Sequence, residues 1–184
     1  MIIETGSFGP LNIGNEEIIH IPQGILGFQE LKKYCLVDPG DDTLILWLQS
    51  LEKPQVAFPV LEPKIYKADY IVKLAGADLR ELKLENLGRA AVFNILTIPD
   101  DVSKMTANLK APIVINIREQ LAKQVVLQEN DYEIKHNMFK ELRTQLMTIR
   151  AQQDSAKAQL LDQEKTSSVI SVPSIPVSPA VRAI

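Results

Sequence analysis

Two apolar runs, residues 44–48 and 56–61, flank a polar turn, Ser50-Leu51-Glu52-Lys53-Pro54-Gln55. Unbroken apolar runs of strand length are buried on both faces. The pattern therefore predicts a hairpin near the middle of a sheet, with further strands built outward from it. Trp47 and Phe58 stand on its two arms and supply aromatic bulk. Pro59 lies inside the second arm and has no N–H for a ladder. A bend or bulge is expected there, which suits a small curved barrel better than a flat sheet.

Upstream, residues 2–5 and 11–13 are short β-prone pieces separated by Gly6 and the turn Gly9-Pro10, and residues 17–21 read as a third strand. Pro22-Gln23-Gly24-Ile25-Leu26-Gly27-Phe28 reads as a shaped loop with Ile25 and Leu26 as exposed apolar tips, because glycine permits backbone angles other residues avoid. Residues 34–37 form a short strand ended by the turn at 38–42. Downstream, residues 70–74, 90–98, 112–117 and 124–127 read as strands. Residues 77–84 read as a short helix, with Asp78 near its start and Leu79 and Leu82 on one face.

No proline falls between Pro112 and Pro173. A long helix is expected from about Asn130-Asp131, with Glu133 in its first turn and a seam of Phe139, Leu142, Leu146, Ile149, Gln153, Ala156 and Leu160. From Thr166 the Ser/Pro/Val-rich end is expected to be disordered. The fold class is thus mostly β: a small antiparallel barrel-like domain over 1–131, one short helix within it, a C-terminal helical extension over 132–165 and a Ser/Pro-rich tail over 166–184.

Composition narrows the function classes. Aromatics make up only 5% of the chain, too few for base-stacking platforms. Residues 1–131 hold 13 Lys/Arg against 18 Asp/Glu, net −5, and residues 132–184 hold 7 against 5, net +2. An acidic body disfavours phosphate backbones and favours basic protein partners. Cys35 is the single cysteine, so no disulfide or thiolate cage is expected; on an apolar strand it reads as core. His20 and His136 lie apart, without ligand-spaced Cys or carboxylates. No catalytic residue, cofactor or metal is expected, and no signal peptide or membrane span is read from the chain.

Four stretches go further: Ile21-Pro22-Gln23-Gly24-Ile25-Leu26-Gly27-Phe28; Leu48-Gln49-Ser50 with Val56-Ala57-Phe58; Asn94-Ile95-Leu96-Thr97; and Thr106-Ala107-Asn108-Leu109-Lys110-Ala111-Pro112-Ile113-Val114-Ile115-Asn116. In this order the chain resembles the flagellar assembly factor FliW family over roughly residues 1–132. The resemblance implies a bacterial cytoplasmic protein with a small barrel-like fold. It further implies binding of flagellin before export, and binding of the RNA-binding regulator CsrA that relieves repression of flagellin mRNA. Gly24, Gly27, Phe28, Gln49, Ser50, Ala57, Phe58, Thr97, Thr106, Pro112 and Asn116 are the family-motif positions expected to build the fold.

The partner-contact candidates are Ile25, Leu26, Glu52, Glu62, Asp69, Asp78, Glu81 and Asn108. Apolar tips anchor partner helices or strands. The five carboxylates either add a negative field beside a basic partner or form a solvated face, and Asn108 either contacts a partner or bonds backbone in a turn. The free protein is expected to be monomeric. An alternative from another class is a small-molecule-binding β-barrel with a pocket at its mouth, which a side-chain-filled barrel would count against.

Overall fold

A computed structural model describes residues 1–40, 43–128, 132–139, 143 and 147, together with the backbone of 178–179. Seven of its strands close a barrel: β3 (Ile19–His20), β4 (Lys33–Asp38), β5 (Leu46–Ser50), β6 (Ala57–Leu61), β7 (Ala90–Thr97), β9 (Ile113–Asn116) and β10 (Leu121–Gln124). Neighbours are antiparallel except at the closing seam, where β10 meets β3 in parallel at Leu121 and His20. β1 (Ile2–Thr5) and β2 (Gly9–Asn12) form a separate hairpin, and β8 (Thr106–Ala107) extends from the end of β7.

The closure follows from alternation along the strands. Ile19, Tyr34, Leu36, Leu48, Val60, Phe93, Ile113, Ile115 and Ala122 belong to one buried cluster. Because all seven strands contribute to it, this cluster is the barrel interior. Their neighbours one residue along face outward and are covered twice. Cys35, Val37 and Trp47 pack with Leu11, Ile13 and Phe8 of the first hairpin, where the Phe8 and Trp47 rings meet edge-on at 5.6 Å. Leu61, Leu96 and Val114 pack with Tyr66, Tyr70, Leu82 and Met138 on the other side. Strands buried on both faces give the near-continuous apolar runs of the sequence.

The central hairpin forms as expected, with Leu46 opposite Val60 and Gln49 opposite Ala57. Pairing of β6 with β7 begins only after Pro59, at Val60 and Ile95. The expected short helix is α1 (Gly76–Glu81), where Asp78 Oδ2 accepts from the Ala75 N–H at its start.

Several elements depart from expectation. Among the described residues, 71–74 form no ladder with a strand; the hydroxyl of Tyr132 takes both backbone groups of Ile71, accepting from its N–H at 2.9 Å and donating to its C=O at 3.1 Å. The strand expected at 124–127 lies at Leu121–Gln124, because the ladder with β9 starts immediately after the turn. The third strand shrinks to Ile19–His20, since Asn15–Glu17 wind into a 3-10 turn. The helix expected from Asn130-Asp131 does not include 132–138. These residues stay with the β body, and β11 (His136–Asn137) pairs with β8. His136 is therefore on a strand, not a helix face. Asn137 Oδ1 then accepts from the Phe139 N–H, and Phe139, Arg143 and Met147 are helical. Positions 142, 146, 149, 153, 156 and 160 of the proposed seam, and the caps Asn130 and Asp131, lie outside the described residues. So does most of the 166–184 tail expected to be disordered, but Ser178–Pro179 forms β12 beside Val37–Asp38, the half of β4 that β3 leaves uncovered.

Candidate functional site

The Gly24 loop is shaped by its backbone. Gly24 has φ +69°, and a Cβ there would lie 2.6 Å from Gln29 Cα and 2.7 Å from the Phe28 carbonyl oxygen. The chain closes on itself through Gly24 N–H to Ile21 C=O and Phe28 N–H to Ile25 C=O. That closure turns Ile25 inward. It is 2% exposed and joins the barrel interior, which corrects its expected place as a surface tip. Leu26 is 60% exposed, as expected, and Gln124 Oε1 holds its backbone N–H.

The five carboxylates are mostly engaged within the chain. Glu52 accepts from the backbone N–H groups of Lys32 and Lys33; the Lys32 N–H chiefly holds its carboxyl below the ordinary glutamate range. Asp69 pairs with Lys67 at 2.9 Å, and that hydrogen bond lowers its pKa. Lys123 bridges Asp78 at 2.8 Å and Glu81 at 2.7 Å. Burial pulls the Lys123 ammonium down, but the two carboxylates outweigh it and hold its pKa above the ordinary value. Gln23 adds a further bond to Glu81. Paired charges project less field than bare ones, so of the five only Glu62 stands exposed with no partner recorded among the described residues. Asn108 is also occupied, its Oδ1 accepting from the N–H groups of Lys110 and Ala111. It fits the turn-bonding alternative.

The structure brings together a different set of residues. An open groove of about 1040 Å³ is lined by Glu62, Pro63 and Lys64, by Tyr70, Ile71 and Val72, and by 87–93, with Ile117 and Arg118 at one end. It exists because β6 leaves the sheet: its last pair with β7 is Leu61–Asn94, and Pro63–Ile65 then turns away in a 3-10 helix. Among the described residues, Ala90–Phe93 of β7 consequently pair with a strand, β9, on one edge only. Arg89 and Arg118 fall at the same end through the β7–β9 register, and neither pairs with a carboxylate among the described residues. Sequence reading missed both arginines, since nothing local joins residues on separate strands.

A family model described as "FliW protein" matches residues 2–138. The chain is 43% identical over 147 residues to the flagellar assembly factor FliW of Bdellovibrio bacteriovorus, covering 80% of this chain and 84% of that one. The chain belongs to the FliW family. It is 34% identical over 146 residues to the FliW of Ruminiclostridium cellulolyticum, covering 79% and 99% of the two chains. A crystal structure of the flagellar assembly factor FliW superposes with a TM-score of 0.71 at 36% identity, covering 76% of this chain and 97% of that one.

The positions that carry the FliW resemblance are placed as follows. Gly27 has φ +86° and ends the loop. Phe28 meets Phe58 edge-on at 5.1 Å, both partly buried against the barrel interior. Gln49 is fully buried and its Nε2 donates to the carbonyls of Ser50, Pro54 and Val56, binding the hairpin turn across Ala57. Ser50 Oγ accepts from the N–H groups of Glu52 and Lys53. Thr97 pairs with Thr106, and the Pro112 carbonyl accepts from Val125. Asn116 Nδ2 donates to the Leu82 and Lys83 carbonyls, tying β9 to the segment after α1. Asn94 centres a buried network: its Oδ1 accepts from Tyr66 Oη, and its Nδ2 donates to the Asn108 carbonyl and Tyr70 Oη. Burial pushes the Tyr66 phenol well above its ordinary range. Cys35 is likewise buried, its thiol pushed up to about 12, which fits inert core.

Proposed function

We propose that this protein binds flagellin in the cytoplasm and antagonises CsrA by non-competitive protein binding, so relieving repression of flagellin mRNA. Membership of the FliW family over residues 2–138 carries this reading, together with relatives named as flagellar assembly factors. The protein acts by holding other proteins rather than by catalysis, binds no nucleic acid itself, and is monomeric when free. Leu26 and Glu62 are the sequence-expected contact residues whose side chains remain available.

The ligand-barrel alternative has less support. Side chains from all seven strands fill the interior, and Ile21, Ile25 and Leu31 pack into the same cluster; the large opening lies outside the barrel, along a sheet edge. The test titrates labelled RNA off CsrA at several fixed concentrations of this protein. Coupled sites weaken RNA binding by a finite factor, roughly 5–150-fold, with a ternary complex at high concentration. Displacement that never saturates overturns the non-competitive reading, and failure to retain flagellin or CsrA from solution overturns the function itself.

A further inference from the structure

Among the described residues, no strand occupies the groove beside β7. Unpaired sheet edges are templates for another strand, and along Ala90–Phe93 one edge is paired to β9, while on the groove side the Ala90 N–H goes to the Leu87 carbonyl and Val92 meets no strand among the described residues. The obvious internal occupant, 71–74, is held off because Tyr132 takes the N–H and the C=O of Ile71. The Tyr70 ring packs on the Tyr132 ring at 4.7 Å and supports that hold. The groove walls are largely apolar, with Ile71 59% exposed on one side and the small residues Gly88, Ala90 and Ala91 on the other. Small side chains let a second backbone approach closely.

The direction of a guest is set by β6. Val60 faces Ile95 and Leu61 faces Asn94, so β6 advances as β7 counts down. A strand continuing that antiparallel pairing beyond Leu61 points its C-terminal end toward Ala90. Arg89 and Arg118 stand at that end, in a body whose net charge over 1–131 is −5. At the other end Glu62 follows Leu61, and the Lys64 ammonium beside it is engaged by the Ala68 carbonyl at 3.0 Å. The groove is therefore polarised, and arginine pairs well with carboxylate.

We propose that this groove takes an extended apolar segment of a protein partner, added antiparallel to β7, with an acidic side chain near its C-terminal end seated between Arg89 and Arg118. This deepens the reading of the protein as a protein-binding factor and rests on it. Backbone pairing along the edge supplies sequence-tolerant affinity. The arginine end sets direction and selects charge.

The probe is a fluorescein-labelled octapeptide alternating valine and threonine and ending in two glutamates with an amidated terminus, beside a twin ending in two lysines. Fluorescence anisotropy with the full chain should show the acidic peptide bound at least about tenfold more tightly, the loss expected when a charge-assisted pair is missing. Arg89→Glu/Arg118→Glu should abolish or reverse that preference, and hydrogen exchange at the Val92 N–H should slow only with the acidic peptide. Equal binding of the two peptides, no binding of either, or a preference untouched by the double charge reversal overturns the proposal. Flagellin retention by the wild type and the double variant is measured in parallel. Flagellin held equally by both refutes the groove as its site and leaves the family function standing. Peptide selectivity that follows the arginines, without flagellin retention, supports the groove and refutes the family function.

Discussion

Asn94→Ala should be among the more damaging single changes in this protein, although it removes a polar residue from a mostly apolar core. Asn94 is fully buried. Its Oδ1 accepts from Tyr66 Oη at 2.8 Å, and its Nδ2 donates to the Asn108 carbonyl at 2.8 Å and to Tyr70 Oη at 3.3 Å. Tyr70 Oη keeps its own acceptor, the Leu109 carbonyl at 2.6 Å. Truncation therefore strands two groups outright, the Tyr66 hydroxyl and the Asn108 carbonyl. A buried group left unmade costs about 1–3 kcal/mol, so two of them imply a loss of roughly 2–6 kcal/mol before any cavity penalty. Urea unfolding followed by the single Trp47 measures it. A double-mutant cycle sharpens the test, because residues in one network are non-additive. Tyr66→Phe in the wild type should destabilise by about 1 kcal/mol; in the Asn94→Ala background it removes an orphaned hydroxyl and should be neutral or stabilising. A total loss under about 1 kcal/mol, or additive effects of the two changes, would refute the reasoning.

Gly24→Ala should lower the melting temperature sharply, since the left-handed backbone costs an alanine about 1–2 kcal/mol and its Cβ meets the Gln29 and Phe28 backbone; an unchanged melting curve would sink this. Phe58→Ala should cost about 3 kcal/mol by urea unfolding, at the low end for a core aromatic, because Phe58 is only partly buried against Phe28 and Tyr34; a variant as stable as the parent that fails to bind partners would make Phe58 a contact residue instead. Glu52 has a lowered folded-state pKa, so its stabilisation is present above the ordinary glutamate pKa of about 4.3 and is lost as pH falls through the lowered value. Stability against pH should thus fall less steeply on the acid side for Glu52→Gln than for the wild type, and parallel curves would contradict the clamp on Lys32 and Lys33.

Local chemistry made much of the fold legible. The apolar runs around Pro54 fold as the β5–β6 hairpin because burial on both faces demands such runs and the polar turn between them closes it. Asp78 three residues after Ala75 caps α1, as its position before the Leu79–Leu82 face implies. The loop glycines were readable as special backbone, and Gly24 and Gly27 both have positive φ. Leu26 was readable as an exposed tip, whereas Ile25 beside it was not readable as core. Which of two adjacent apolar residues turns inward depends on where the loop closes against the barrel, not on their hydrophobicity.

Competition between distant partners was decided only in three dimensions. Residues 70–74 have a good strand sequence, but Tyr132 supplies Ile71 with both of its backbone bonds and leaves the β7 edge open. Residues 132–138 follow N-cap residues in a proline-free stretch and so read as helix, yet β8 offers His136 and Asn137 a strand partner. The carboxylates read as a negative face find Lys123, Lys67 and backbone N–H groups brought to them by the barrel. Arg89 and Arg118 fall at one end of the groove because β7 and β9 pair in one register. The sequence by itself determined the strand-forming runs, the turns and the family, because periodicity, glycine and proline act over a few residues. The tertiary structure alone decided which edge stays unpaired and which charges stay free, because hydrogen bonds and ion pairs go to whichever partner the closed barrel brings within about 3 Å.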